Sequence, residues 1–137
     1  MRYPVAIELA TEGTCFGVAV PDLPGCFSAG DTLDEAMTGA EESAAAWIDA
    51  TLDAGDPVPP PSSIDAIRRN PDYAGWIFGL ISVDAGLLDD TVARVTITLP
   101  RRVLRRLDAL ARSAGETRSG YIAHQVTLDN PRRIAVS

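Results

Sequence analysis

Apolar and polar positions change period several times along the chain. Residues 3–9 alternate Tyr3, Val5, Ile7 and Leu9 with smaller or polar groups, a period of two that predicts a β-strand. Glu12-Gly13-Thr14 reads as a turn and residues 14–20 as its hairpin partner. Pro21-Asp22-Leu23-Pro24-Gly25 stops that strand, because the prolines remove donors and Gly25 permits positive φ. A short third strand is expected over Cys26 to Ala29. At Thr32 the period becomes helical. Thr32-Leu33-Asp34-Glu35 is a capping box in which Glu35 is expected to reach back to the Thr32 amide. Leu33, Met37, Ala40, Ala44, Trp47, Ile48 and Thr51 then recur at helical spacing, with Glu41, Glu42 and Asp49 on other faces. Gly55 suits the helix end, and Pro57-Val58-Pro59-Pro60-Pro61 forbids continuation. Ser62 or Ser63 is expected to cap a short helix to Arg69, stopped by Asn70-Pro71. Tyr73 to Val83 is a nearly continuous apolar run, whose latter part reads as a strand buried on both faces.

A second pattern begins after residues 84–92, which read as a linker. From Arg94 to Leu99 the alternation is strict: Val95, Ile97 and Leu99 point one way, and Arg94, Thr96 and Thr98 the other. Pro100 ends that strand and suits the start of a helix. Over residues 101–114, Val103, Leu104, Leu107, Leu110 and Ala111 share one helical face, and Arg101, Arg102, Arg105, Arg106 and Arg112 cover the rest. Gly115 breaks this helix, and Thr117 is the expected N-cap of another that runs on to Val126. One short strand and two short helices, about 35 residues, cannot bury an adequate core alone. Two copies can: their strands pair antiparallel, bury Val95, Ile97 and Leu99 with Leu107 and Ile122, and expose Arg94, Thr96 and Thr98 on a two-stranded ribbon. A ribbon of that width fits the DNA major groove, where threonine hydroxyls and arginine guanidinium groups can read base edges.

Charge sharpens the division. Residues 1–90 hold three arginines against sixteen acidic residues, a formal −13, and residues 91–137 hold nine against three, a formal +6. A basic tail on an acidic body points the tail at a polyanion and the body at something else. The 46% of apolar residues is enough for a packed core. No apolar run has the length of a signal peptide or membrane span, so the expectation is a soluble, cytoplasmic protein without membrane contact. Cys15 and Cys26, with the single His124, form neither a disulfide framework nor a zinc set, and are expected to be buried small residues.

The strand–helix–Gly–helix register of about residues 93–128 resembles the ribbon-helix-helix DNA-binding family. Its carriers are Val95-Thr96-Ile97-Thr98-Leu99-Pro100, the leucine spacing, Gly115, and Thr117-Arg118-Ser119-Gly120-Tyr121-Ile122. Members usually have a helix-favouring residue where Gly120 stands. The first part resembles the HicB family of antitoxins through its early hairpin, the Pro21-Asp22-Leu23-Pro24-Gly25-Cys26 turn, Gly30-Asp31-Thr32-Leu33-Asp34-Glu35-Ala36 opening a long helix, and the proline-rich exit.

That resemblance implies an α+β protein: a reduced ribonuclease H-like, toxin-binding domain over residues 1–83, a linker over 84–92, a dimeric ribbon-helix-helix module over 93–128 and a tail over 129–137. It implies a HicA-like mRNA interferase as partner, operator DNA as second partner, and a homodimer through the C-terminal module, with tetramer formation left open. Arg94, Thr96 and Thr98 are the expected base readers. Arg101, Arg102, Arg105 and Arg118 are expected on phosphates, together with the Ser119 and Gly120 amides at a helix start.

Catalysis is not expected, nor is a cofactor or metal. Two-metal phosphoryl chemistry needs several convergent carboxylates. Of the candidates, Asp22 sits in a turn where aspartate accepts local backbone bonds, and Asp31 and Asp34 lie at a helix start, where carboxylates stabilise the dipole anyway. Glu8 falls on a strand with nothing to show that it faces Asp22. His124 is expected on a partly exposed helical face, and Trp47 and Trp76 in the core. The alternative function is a stand-alone repressor whose acidic body senses a small ligand; a degenerate nuclease is the third.

Overall fold

In the computed structural model, which describes residues 1–129, the first strands follow the alternation closely. Strands β1 (Arg2–Glu8), β2 (Phe16–Ala19) and β3 (Phe27–Gly30) precede helix α1 (Leu33–Asp53); the short helix α2 (Ile64–Arg68) and strand β4 (Ile77–Ser82) follow. The sheet is antiparallel throughout, in the order β3-β2-β1-β4. This is a mixed α+β arrangement. Helices α3 (Arg101–Ser113) and α4 (Arg118–Leu128) complete the described strands and α-helices. The chain divides into two units, Met1–Asp89 and Asp90–Ser137.

In the first unit, register places Ile7 opposite both Val18 and Ile77, and Tyr3 opposite Ile81. These residues share one face of the pleat with Val5. Tyr3, Val5, Ile7, Val18 and Ile81 cluster with Ala36, Ala40, Ala44 and Ile48, the inward stripe of α1. Small residues on both sides let helix and sheet approach closely. A Cβ at Gly30 would lie 2.7 Å from the Ala36 amide nitrogen and 2.8 Å from the Glu35 Cβ, and one at Gly39 would collide with the Ser28 hydroxyl.

Helix α1 starts and stops by side-chain and backbone bonds. The Thr32 hydroxyl accepts from the Glu35 amide at 3.1 Å. Glu35 does not return that bond to Thr32: its Oε2 accepts from the Asp31 amide, 3.1 Å, one residue further back. At the other end Gly55, at φ +77°, lets its own amide reach the Leu52 carbonyl and the Asp56 amide reach that of Thr51. Ser63, not Ser62, caps α2, accepting from the Ala66 amide at 3.1 Å.

Several expectations need correction. Strand β4 is not buried on both faces. It is an edge strand, and Ile77 (42%) and Leu80 (44%) stay exposed, because α1 and α2 do not cover an outer strand completely. Residues 84–88 are not wholly linker: Ala85–Leu88 form a 3-10 turn, and Leu87 packs against the core. Cys26 is buried but Cys15 is exposed, since it falls in the hairpin ahead of β2. Trp47 packs against the core margin. Trp76 is half-buried outside that cluster, tilted against Tyr73 with centroids 5.2 Å apart.

In the second unit, Arg94 to Leu99 forms no strand within the single chain. A strand needs a partner for its amides and carbonyls, and the rest of this unit's described residues is mainly the helices α3 and α4. Val95 (75%) and Ile97 (59%) are exposed, and only Leu99 is half-buried. Gly115, at φ +69°, ends α3, with the Glu116 amide bonded to the Ala111 carbonyl at 2.9 Å. The expected tail, with Arg132 and Arg133, lies outside the described residues apart from Asp129, which caps α4.

Gly30→Ala is expected to lower stability by about 1–3 kcal/mol through overpacking against the first turn of α1. Urea denaturation measures it; an unchanged midpoint would mean that the approach is looser than described.

Candidate functional site

The basic unit keeps its cations outward. Arg94, Thr96 and Thr98 are all exposed, as are Val95 and Ile97 between them, so exposure does not separate the two parities in the single chain. Arg101, Arg102 and Arg105 are exposed on α3, and Leu107 and Ile122 are half-buried on the facing helices. Arg118 differs from the other cations. Its Nε and Nη2 donate to the two oxygens of Asp108 at 2.9 and 3.1 Å, a bidentate pair across α3 and α4. Those hydrogen bonds, with the charges of Arg118 and Arg112, hold Asp108 below the usual carboxylate range. Arg118 is therefore committed to a protein carboxylate in the single chain.

The start of α4 is likewise partly occupied. The Thr117 hydroxyl caps the helix and accepts from the Gly120 amide at 3.0 Å, so that amide already has a protein acceptor. Ser119 is exposed in the same turn. His124 is exposed, and its Nδ1 lies 3.2 Å from Glu116 Oε1.

In the acidic unit the carboxylates do not converge as a nuclease centre needs. Asp22 accepts from the Ser62 amide (2.8 Å) and hydroxyl (2.6 Å), forty positions away, where the sequence suggested only local bonds. Trp47 Nε1 donates to the Pro24 carbonyl at 2.9 Å, and the Tyr3 hydroxyl to that of Pro59 at 2.7 Å. The Pro21–Gly25 turn is thus tied to α1 and to the segment ahead of α2. Burial, and then the Asp22 charge, raises the Tyr3 hydroxyl above its ordinary pKa. Ser62 was missed as an anchor, because a hydroxyl beside a proline run carries no sequence mark of a distant partner.

Glu8 and Asp31 do come together. They line a cleft of about 560 Å³ at the hairpin end of the sheet, with Thr11, Thr14 and Cys15. Asp22 and Asp34 do not line it. Among the described residues no group of three or more histidine, cysteine, aspartate or glutamate side chains could hold a metal ion. Among them, too, no helix is long and apolar enough to cross a membrane.

This fold has counterparts among known proteins. Residues 3–126 match the model of a family described as the HicB-like antitoxin of a bacterial toxin-antitoxin system. The chain belongs to the HicB-like antitoxin family. A 14.9 kDa protein of Haemophilus phage HP1, from the rep-hol intergenic region and without assigned function, is 35% identical over 93% of this chain and 96% of its own length. The crystal structure of the Burkholderia pseudomallei antitoxin HicB is 34% identical, with a TM-score of 0.60, covering 93% of this chain and 96% of that one. A chain in the HicA3 and HicB3 toxin-antitoxin complex is 36% identical, with a TM-score of 0.52, and matches over 61% of this chain and 99% of its own. The HicB-like resemblance seen in the hairpin, the turn and the α1 opening is therefore borne out at the level of the family.

Two measurements check the local chemistry. Asp108 should titrate below an ordinary aspartate, and Arg118→Gln should move its midpoint up, as read by carboxyl carbon shifts. The sign follows from a lowered folded pKa: the pair's contribution is present above the ordinary carboxylate pKa and fades as pH falls through the depressed one. For the thiols, burial pushes Cys26 up to about 11, so native protein should react with a thiol reagent only at Cys15, and unfolded protein at both. Fast native labelling of Cys26 would contradict its placement in the core.

Proposed function

We propose that this chain neutralises a HicA-like mRNA interferase toxin and represses its own operon as a homodimer on an inverted-repeat operator. The match over residues 3–126 carries the antitoxin half of this reading. The toxin partner is supported by the chain of the HicA3–HicB3 complex, which is 36% identical and corresponds to 61% of this one, about the share that Met1–Asp89 makes up. We assign toxin binding to residues 1–83, read as a reduced ribonuclease H-like domain, with no catalytic residue.

Operator binding belongs, in this reading, to residues 93–128 as a ribbon-helix-helix module. Its main support is the exposed alternating segment: Val95 and Ile97 lie open to water, and Arg94, Thr96 and Thr98 occupy the opposite parity. An unpaired apolar strand face of this kind calls for a second copy. Pairing two such segments buries the valine and isoleucine side chains and builds the ribbon. Arg101, Arg102 and Arg105 then lie on α3, available to phosphates, with the Ser119 amide at the start of α4. Arg118 uses Nε and Nη2 on Asp108, which leaves Nη1 and the second Nη2 hydrogen for a phosphate, so it can hold DNA while the pair keeps its side chain in place. Toxin, messenger RNA and operator all place this work in the cytoplasm.

Growth rescue tests the first half: co-expression with the toxin encoded alongside should restore growth, and no rescue would end the antitoxin reading. For the second half, Ile97→Asp should give monomers by sedimentation and abolish the gel shift of the chain's own promoter, yet still rescue growth. Thr98→Ala should keep the dimer and lose about 1–3 kcal/mol of base discrimination if its hydroxyl contacts a base directly. Unaltered promoter binding by Ile97→Asp would refute the ribbon.

A further inference from the structure

The sheet of the first unit is covered unevenly. On the face opposite the α1-side core, Pro4, Ala6 and Ala19 are buried, and α2 packs against β1 and β4. The β3 side of that face is open: Phe27 is 66% exposed and Ala29 is exposed as well. Register fixes what stands there. Glu8 lies opposite Gly17, and Gly17 opposite Ala29, so the three form one row across β1, β2 and β3. Phe27 shares the face with Ala29 two residues on, in the neighbouring row with Ala19. Because Gly17 has no side chain, the row has a trough between Glu8 and Ala29, two strand spacings or about 10 Å across. The trough adjoins the cleft lined by Glu8, Thr11, Thr14, Gly17 and Asp31.

Neither backbone nor packing requires glycine at position 17. Its φ is not in the left-handed region, and an added Cβ would meet only Glu8 Cβ and Oε2, at an ordinary 3.8 Å. What the missing side chain does is leave the trough empty. We propose that this trough seats a basic protein partner, with an apolar side chain against Phe27 and Ala29 and an arginine or lysine between Glu8 and Asp31. The proposal rests on the toxin reading above and takes the toxin as that partner. Charge complementarity selects a basic occupant. The cleft is lined by two carboxylates and no cation, within a stretch of formal charge −13 over residues 1–90. The open apolar strip beside it gives such a partner surface to bury that charge alone would not offer.

The test titrates the full chain with a catalytically inactive form of the toxin encoded alongside it, by calorimetry. Gly17→Gln fills the trough and should weaken binding at least tenfold, with the melting temperature kept. The double variant Glu8→Gln, Asp31→Asn keeps the shape, should cost a similar factor, and should lose much of the wild-type salt dependence. It also serves if Gly17→Gln fails to fold. Asp34→Asn with Glu42→Gln removes the same charge from α1 and should bind like wild type. Wild-type affinity in the folded trough variants, or an equal loss in the α1 variant, would overturn the seat while leaving the toxin reading intact. Absence of binding by the wild-type chain would overturn both. A fall in the chain's own oligomeric mass on Gly17→Gln would instead assign the trough to a second copy, and would also overturn the proposal.

Discussion

The close approach of α1 to the sheet is the constraint on which the first unit depends. Ala36, Ala40 and Ala44 present almost no side chain to the strands, and Gly30 and Gly39 leave no room for one. That closeness lets a single helix exclude water from Tyr3, Val5, Ile7, Val18 and Ile81. It also sets the height at which Trp47 meets the Pro24 carbonyl, and hence where the Pro21–Gly25 turn is held. From that turn Asp22 reaches Ser62, and from β1 the Tyr3 hydroxyl reaches Pro59. Long-range bonds thus hold the proline-rich segment that leads into α2.

This assigns the turn that marks the family resemblance to the fold. Its Asp22 carboxylate accepts from Ser62 and its Pro24 carbonyl from Trp47, within the same unit. The partner seat proposed above lies elsewhere, at the hairpin end, where Glu8 and Asp31 line an open cleft and Phe27 remains exposed. A residue pattern can identify a family because it builds the scaffold, while the residues of the proposed seat have no distinctive pattern of their own.

The second unit has the opposite economy. Its helices bury only Ala111 fully, and Val95, Ile97, Leu110 and Val126 stay exposed. In the proposed dimer, operator affinity depends on protein concentration as well as on contacts. The Arg118–Asp108 pair joins α3 to α4 and fixes the guanidinium, whose remaining N–H donors stay exposed.

The sequence by itself determined the local elements, because their causes are local. Alternation placed the hairpin strands, the Thr32 and Thr117 hydroxyls started α1 and α4, and Gly55 and Gly115 ended α1 and α3. It also determined the division of charge and the family. Only the tertiary structure decided that β4 is an edge, that Cys15 is exposed, that Asp22 belongs to Ser62 and Arg118 to Asp108, and that Glu8 and Asp31 share a cleft. Each of these depends on which segments meet, from ten positions apart for Arg118 and Asp108 to eighty for Arg2 and Ser82. That choice is made by the packing of one amphipathic surface on another, to which no single stretch of residues has access.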